Sequence, residues 1–313
     1  MILVLGATGF LGKRVCKRLD ELNYEYERTS FSLGIDLCDR DQSRKIFSEI
    51  RPDYVLNCAA FLGGVQFGYE HAAEMFTYNM EMELSILEMC KEYEVRRIVN
   101  PIGNCSYPGI ANIYKESEFW NGPLHESVLA YGLAKKAFCV GAWAYHKQYG
   151  MDIINLIFPN MYGPDDHFDP LRSHAVGGMI QKFVDAVDDN AETVTIWGTG
   201  SPIREWLYVD DGAEAMIRAL DIEYYPDIIN IGINRGYSIT ETANIIKELT
   251  GFSGEIIYDS SKIDGAPIKI MDSNRCKQIF NWVPSTDYKD GIRNSIISYK
   301  KYKQIKLKKT KER

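Results

Sequence analysis

The chain has 313 residues, of which 45% are hydrophobic and 25% charged, and its formal net charge is −7 at pH 7. This length predicts a large core and two lobes, and the acidic balance argues against a nucleic-acid-binding protein. Seven cysteines lie scattered without CxxC spacing, which indicates reduced thiols and neither a disulfide framework nor a metal site. No run is long enough to be a signal segment or a membrane span, so we expect a cytoplasmic protein without membrane contact.

The first predicted element is a buried strand over residues 1–5, followed by a glycine-rich turn and then by a helical pattern. Glycines spaced GxxGxxG between a strand and a helix let the backbone approach a pyrophosphate at the helix N-terminus. A plain tight turn is the alternative interpretation. The residues that we assign to a dinucleotide site here are Gly6, Thr8, Gly9, Phe10, Leu11 and Gly12.

Strands alternate with helices through the first half of the chain. The predicted strands cover residues 24–29, 53–60, 96–100 and 152–158. The predicted helices cover residues 39–49 and 70–93, and a further helix carries Tyr131 and Lys135 and runs to about residue 149. This alternation predicts an α/β fold with a doubly wound parallel sheet of the Rossmann type. Ligands of such sheets bind beyond the carboxyl ends of the strands. The further cofactor-binding residues predicted there are Arg28, Ser30, Asp36, Leu37, Ala59, Ala60, Asn79 and Pro159.

A tyrosine and a lysine stand four residues apart in the last of these helices, so Tyr131 and Lys135 share one helix face. A phenol normally loses its proton near pH 10, and a neighbouring ammonium group lowers the phenol pKa. Such a pair can pass a proton to or from a sugar oxygen while a hydride moves elsewhere. A solvated helix face is the ordinary alternative for this spacing.

The strict alternation ends near residue 165, and the second half reads as a smaller α/β lobe. Helices are predicted from residue 175 to about 187 and from 238 to 250, and residues 198–205 and 265–269 are predicted as a loop and an exposed turn. We divide the chain into a dinucleotide-binding domain, a substrate lobe and a flexible basic tail. These cover residues 1–164 with returns around 205–235, residues 165–204 with 236–300, and residues 301–313.

Several motifs can be quoted as they stand in the chain: GATGFLG at Gly6, NCAAFLGGV at Asn57, CxYP at Cys105, YGLAK at Tyr131, PNMYGP at Pro159, SHAVGGMI at Ser173, WGTGSPIREWLYVDD at Trp197 and DGAPIK at Asp264. Together they resemble the extended short-chain dehydrogenase/reductase family, and within it the GDP-L-fucose synthase branch, nearly end to end. The SH segment and WGTGSPxRE are the motifs most specific to that branch.

The resemblance implies a proton relay through Tyr131 and Lys135, with Asn104 near the reacting oxygen. It also implies an acid/base pair, Cys105 and His174, which would epimerise carbons beside a keto group. Both residues also have a structural alternative. Cys105 would be a small buried side chain, and His174 would form a hydrogen bond at the start of a helix.

The same resemblance implies that His174 contacts the sugar and that Arg204 and Lys269 hold its diphosphate. Asn160 would orient the sugar or the loop before the second lobe. Guanidinium and ammonium groups suit a dianionic pyrophosphate. Two solvated loop cations are the alternative.

The chain departs from the family pattern at Gly103, where a Ser or Thr normally hydrogen-bonds the oxygen that is oxidised or reduced. Asn104, Ser106 or an ordered water is a candidate substitute, and losing one donor at a developing alkoxide costs ~10²–10³ in rate.

Fucose synthases are NADPH enzymes with arginines near the 2′-phosphate, and the matching positions here are Thr8 and Ser30. Arg28 is a single nearby cation. We therefore favour NAD(H), with NADP(H) as the other possibility, and this preference tilts the expected direction toward C4 oxidation.

Taken together, we expect a cytoplasmic NAD(P)-dependent oxidoreductase that acts at C4 of a nucleoside-diphosphate sugar, foremost a GDP-linked manno-type hexose or heptose. It would serve as a 4-dehydrogenase or 4-ketoreductase in capsule or other surface-polysaccharide synthesis. The alternatives are a 3,5-epimerase/4-reductase, a 4,6-dehydratase and a non-catalytic cofactor-binding regulator. The resemblance also implies a homodimer through the Tyr131 helix and its predecessor. The apolar residues Leu129, Leu133, Phe138 and Val140 fit such an interface and fit an internal core equally well.

Overall fold

A computed structural model describes residues 1–111, 113–168, 173–223, 228–262 and 264–311. The last two residues of the predicted tail, 312 and 313, lie outside this part of the chain.

A six-stranded parallel sheet forms the centre of the fold, which confirms the predicted α/β class. In spatial order its strands are β11 (Ile228–Asn230), β6 (Asp152–Phe158), β4 (Arg97–Gly103), β3 (Tyr54–Asn57), β1 (Ile2–Leu5) and β2 (Tyr26–Thr29). These strands are rich in aliphatic residues and mostly buried, as expected when helices cover both faces. The direction of chain progression reverses at β1 and β3, so a crevice for ligands is expected beyond their carboxyl ends.

Helices cover both faces of this sheet and bury a separate apolar cluster on each side. On one face α1 (Phe10–Glu21) packs on α7 (Val209–Arg218). On the other face α4 (Ala72–Glu92) packs on α5 (Leu129–Tyr149), and α2 (Arg40–Ile50) lies beside α4. The helix predicted at residues 70–93 is preceded by a separate short helix, α3 (Val65–Glu70). The close packing of α4 on α5 brings side chains of both helices to one point beneath the predicted site.

The second half adds short sheets and a third apolar cluster. Its strands and their partners are β7 (Asn160–Tyr162) with β10 (Trp206–Tyr208), β8 (Thr193–Trp197) with β13 (Glu255–Asp259), and a sheet of β12 (Tyr237–Ser238), β9 (Ile203–Arg204), β14 (Ile268–Met271) and β5 (Ile113–Tyr114). Its helices are α6 (Ala175–Asp188), α8 (Ile239–Thr250), α9 (Asn274–Phe280) and α10 (Tyr288–Lys311).

Two local predictions need correction. The predicted loop at 198–205 ends in β9, and the predicted exposed turn at 265–269 ends in β14, because these two strands pair with each other in parallel. Residues 301–311 belong to helix α10, and the flexibility of this tail stays a prediction. The division into a dinucleotide-binding domain and a substrate lobe stays a prediction.

Within the described residues, the helices are too short or too polar to cross a lipid bilayer.

Glu205, between β9 and β10, is 1% exposed, and its carboxylate accepts hydrogen bonds from the backbone N–H groups of Ile233, Asn234 and Met271. A glutamine has one acceptor oxygen and must turn its NH₂ group toward at least one of these donors. We expect Glu205→Gln to lower the free energy of unfolding by about 1–3 kcal/mol in urea denaturation. Glu255→Gln, at an exposed position of β13, is the control and should change it by less than about 0.5 kcal/mol. Equal effects of the two substitutions would contradict a supporting role for Glu205.

Candidate active site

The glycine turn after β1 lies against the end of β3. Gly6 has φ 72°, and a Cβ atom there would lie 2.6 Å from the backbone nitrogen of Ala59. A Cβ atom on Gly12 would collide with the carbonyl oxygen of Gly6. Phe10 and Leu11 point into the core, whereas the backbone of Gly9 stays partly accessible at the start of α1. This close approach of backbone to backbone is the geometry that a bound pyrophosphate requires.

Three hydroxyl groups meet beside this turn. Thr8 Oγ1 lies 2.9 Å from Ser30 Oγ and 2.7 Å from Ser32 Oγ. Arg28 is exposed on β2 and lies near Cys16 of α1. The cluster of hydroxyl groups is therefore uncharged, and Ser32 is a member that the sequence did not single out.

The other predicted cofactor residues divide into surface and core positions. Asp36 is half-buried and accepts a hydrogen bond from the backbone N–H of Cys38, whereas the side chain of Leu37 is buried in the core. Ala59 and Ala60 are partly or fully accessible after β3, and Pro159 is buried after β6. These positions line the carboxyl end of the sheet, as predicted, but Leu37 contributes to packing.

Asn79 is fully buried, and its amide group is already used by the protein. It donates hydrogen bonds to the carbonyl oxygens of Phe61 and Met75 and accepts one from the backbone N–H of Phe61. These hydrogen bonds fix the loop that follows β3, and the contact of Asn79 with the cofactor stays a prediction.

Tyr131 and Lys135 lie on the same face of α5, as predicted, with Lys135 Nζ 5.8 Å from the centroid of the tyrosine ring. Tyr131 borders an open cavity of about 400 Å³. Lys135 is 1% exposed, and its Nζ lies 2.8 Å from an oxygen of Glu83, which comes from α4 and is also buried. Burial acts to lower the pKa of Lys135, but Glu83 and Tyr131 raise it above its usual value.

We expected Lys135 to lower the pKa of the Tyr131 phenol below its usual value, and this expectation is wrong for the structure. Burial raises the pKa of Tyr131 to about 12, and the favourable charge of Lys135 offsets only part of this rise. The negative charges of Cys105 and, to a smaller extent, Glu83 add to the rise. The tyrosine is therefore protonated at neutral pH, and Glu83, which is not among the predicted site residues, contributes to this state.

Gly103 ends β4 directly beside Tyr131. A Cβ atom on Gly103 would lie 3.0 Å from Cys105 Sγ and 3.5 Å from Cε1 of the tyrosine ring, so the two reactive side chains flank this position. Burial raises the pKa of Cys105 to about 11, with Lys269 acting in the opposite direction. Asn104 is buried in the same turn. The space left by the missing hydroxyl group is thus bounded by a thiol and a phenol.

Arg204 and Lys269 are neighbours across β9 and β14, where their Cα positions are in register. The guanidinium group donates to the carbonyl oxygens of Ile203 and Asp264, which orients it. Burial lowers the pKa of both cations, and Arg204 lowers the pKa of Lys269 further. Within the described chain, no carboxylate forms an ion pair with Lys269, so this arrangement can accept an anion.

His174 precedes α6, and its Nδ1 lies 2.7 Å from a carboxylate oxygen of Asp166. Its ring is 5.9 Å from that of Phe10, measured between centroids. Although burial acts to lower the pKa of His174, Asp166 raises it above its usual value. In the described part of the chain its recorded partners are these two residues, and Cys105 is not among them. Asn160 is exposed on β7.

The described residues include no cluster of His, Cys, Asp or Glu side chains that could hold a metal ion.

The fold and the glycine turn define a dinucleotide-binding α/β protein. Residues 2–232 match the model of the NAD dependent epimerase/dehydratase family, and the chain belongs to this family of enzymes. A probable GDP-L-fucose synthase 1 of Oryza sativa subsp. japonica is 32% identical over 303 residues, which cover 96% of this chain and 91% of the relative. The resemblance to GDP-L-fucose synthases is thereby confirmed.

Two solved structures show the same architecture. A GDP-D-glycero-L-gluco-heptose synthase from Campylobacter jejuni, solved in the presence of NADPH, has a TM-score of 0.85 and 25% identity and covers 96% of this chain and 97% of its own. A GDP-L-fucose synthetase from Naegleria fowleri bound to NADP has a TM-score of 0.88 and 25% identity and covers 97% of this chain and 93% of its own. The first neighbour was solved in the presence of NADPH and the second is bound to NADP, in contrast to the sequence-based preference for NAD(H).

Gly12→Ala should weaken binding of NADH and NADPH at least ~10-fold, because the new Cβ forces α1 away from the turn after β1. Fluorescence titration with each cofactor measures the effect and compares the two cofactors in the same experiment. Gly122→Ala is the control, since its Cβ would meet only ordinary contacts at 3.4 Å or more. Full cofactor affinity in folded Gly12→Ala would show that the pyrophosphate binds elsewhere.

Proposed function

We propose that this chain is an NAD(P)H-dependent oxidoreductase that acts at C4 of a GDP-linked manno-type hexose or heptose, mainly as a 4-ketoreductase. The observation that carries the proposal is the Tyr131–Lys135 pair beside the thiol of Cys105, beyond the carboxyl end of β4. The GDP-sugar enzymes named among the relatives support the substrate class.

The chemistry follows from the protonation states of the site. A bound dihydronicotinamide supplies the hydride. Tyr131, which burial keeps protonated at neutral pH, donates its proton to the C4 oxygen as negative charge develops there. Lys135 stabilises the phenolate that remains. Tyr131 in its protonated form is the proton donor that reduction requires, and the NADPH and NADP named for the two neighbours support the same direction.

Arg204 and Lys269 would bind the diphosphate of the substrate. Two like charges on adjacent strands repel each other, and their lowered pKa values reflect burial without a full countercharge. A dianionic pyrophosphate relieves both costs, and the fork of a guanidinium group can hold two of its oxygens.

The second candidate is a 3,5-epimerase/4-reductase. It is favoured by Cys105, which lies close to Tyr131 as a residue that exchanges protons beside C4 must. His174 would be its partner, with Asp166 holding the imidazole. Solvent deuterium at C3 or C5 of the product would distinguish this activity from simple ketoreduction.

Cofactor choice depends on the three hydroxyl groups of Thr8, Ser30 and Ser32. They can hydrogen-bond a ribose hydroxyl or a 2′-phosphate but supply no charge to the phosphate. We propose that the protein discriminates weakly between NADH and NADPH, which revises the sequence-based preference for NAD(H).

The remaining proposals concern assembly and location. Helices α4 and α5 expose a row of large apolar side chains, which we propose as the surface of a homodimer in a cytoplasmic protein that serves surface-polysaccharide synthesis. The row comprises Phe76, Leu84, Leu129, Leu133, Val140 and Trp143. Phe138, predicted to belong to it, is 2% exposed and packs in the core instead.

Tyr131→Phe should lower kcat for GDP-linked 4-keto sugars by about 10²–10⁴-fold, because the proton donor is lost while the ring remains. Nicotinamide absorbance measures turnover, and cofactor titration should give an unchanged affinity. Tyr302→Phe, on the exposed side of α10, is the control and should retain wild-type turnover. Undiminished turnover of Tyr131→Phe would refute the proposed proton transfer.

Lys269→Met should raise KM for the GDP-sugar roughly 10–100-fold, which corresponds to the loss of one charge-assisted contact of about 1.5–3 kcal/mol. Because the diphosphate is remote from the reacting carbon, kcat should change much less. Lys277→Met, at an exposed position of α9, controls for the loss of one positive charge. A fall in kcat at constant KM would place Lys269 at the reacting centre instead.

A further inference from the structure

The carboxylate of Glu83 lies deep beneath the proposed site and faces Lys135. Its side chain is 4% exposed, that of the lysine is 1% exposed, and the two charged groups are 2.8 Å apart. Within the described residues, neither oxygen of Glu83 has a hydrogen-bond partner of good geometry. The charge of the lysine is therefore the main compensation for this buried carboxylate.

Stability alone does not explain this arrangement. Removing two charges from water costs several kcal/mol per ion, and well-packed apolar side chains often serve stability equally well. The pair also lies at a specific place, because Lys135 is the same lysine that faces the ring of Tyr131. The negative charge of Glu83 touches this lysine and therefore changes how the lysine acts on the tyrosine.

We propose that Glu83 is a positioning residue that holds Lys135 charged and keeps the Tyr131–Lys135 pair protonated, so that the pair works as a proton donor in ketoreduction. This inference rests on the proposed function and adds to it a third residue, contributed by α4.

The electrostatic argument does not depend on which group of the pair ionises first. Two coupled groups lose protons in macroscopic steps that belong to the pair. The groups that face the pair are Glu83 from α4, Cys105 from the turn after β4, and Cys139 from α5 itself. A neighbouring negative charge favours every protonated form, so its removal lets the pair lose its first proton at lower pH.

Glu83→Gln tests this directly because it keeps the shape of the side chain and removes the charge. The rate of ketoreduction should fall on the alkaline side of the pH profile, since the protonated pair is the donor. We expect this alkaline limb to move to lower pH by about 1 to 3 pH units in the variant, the usual effect of one charge at this separation. Glu83→Asp keeps the negative charge, but its shorter side chain holds the charge farther from Lys135. The alkaline limb of its pH profile should lie between those of the wild type and Glu83→Gln.

A second measurement needs no substrate. Protein labelled with ¹³C at tyrosine Cζ and lysine Cε gives resonances that report ionisation, and those missing from Tyr131→Phe and Lys135→Arg belong to the pair. The first ionisation of the pair should occur at lower pH in Glu83→Gln than in the wild type. If the wild type reduces no GDP-sugar, the proposed function fails, yet this titration still tests the role of Glu83.

Asp211→Asn is the matched control, since Asp211 is another buried carboxylate, which accepts backbone hydrogen bonds from Ser285 and Thr286. It should lower stability and leave both pH midpoints unchanged. Midpoints in folded Glu83→Gln equal to those of the wild type would overturn the proposal. If Glu83→Gln does not fold, Glu83→Asp decides in the same way: a smaller shift to lower pH supports the role, and no shift overturns it.

Discussion

The ion pair between Lys135 and Glu83 is the interaction on which the proposed chemistry depends. It exists because α4 and α5 pack closely enough to bring a carboxylate of one helix to an ammonium group of the other. Neither charge is stable in this buried position without its partner. The pair therefore couples the packing of two helices to the protonation of Tyr131, and a change in how these helices pack would alter the acidity of the site.

The same constraint explains why a conventional interpretation of the Tyr-Lys spacing is incomplete. A lysine one turn from a tyrosine lowers the phenol pKa when its charge is uncompensated, as it is on a solvated helix. Here burial has the largest effect and raises the pKa of the phenol, Lys135 opposes this rise in part, and the charges of Cys105 and Glu83 add to it. Tyr131 is therefore a proton donor at neutral pH and not a base. The site is suited to give a proton to a keto oxygen.

The sequence predicted the parts of the fold that local patterns specify. The glycine turn, the strand before it and the alternation of the first half predicted the parallel sheet, and the helix predicted from 238 to 250 is α8. Local patterns did not reveal pairings between distant segments. Ile203–Arg204 and Ile268–Met271 looked like loops because each is a short strand that forms only when the other is present.

The same limit applies to the site. Tyr131, Lys135 and Cys105 were recognisable from motifs, but Glu83 carries no motif in this chain. Its place four residues after Asn79 puts it on the same face of α4, and this is the one local signal that points toward the site. Asn79 itself holds the loop after β3 through its amide group, a task that its position in the sequence does not reveal.

Charge is distributed unequally over the site. This distribution separates proton transfer to the sugar from binding of the diphosphate. At the reacting end, Lys135 and Glu83 offset each other, so little net charge acts on a neutral keto sugar. Arg204 and Lys269, of which the lysine lowers the pKa of Cys105, lie side by side with their positive charge largely uncompensated, which suits a dianion. A substrate that joins a neutral sugar to a diphosphate matches both groups of residues. A neutral sugar without the diphosphate would leave the two cations unrelieved, so binding energy is available only to the activated form.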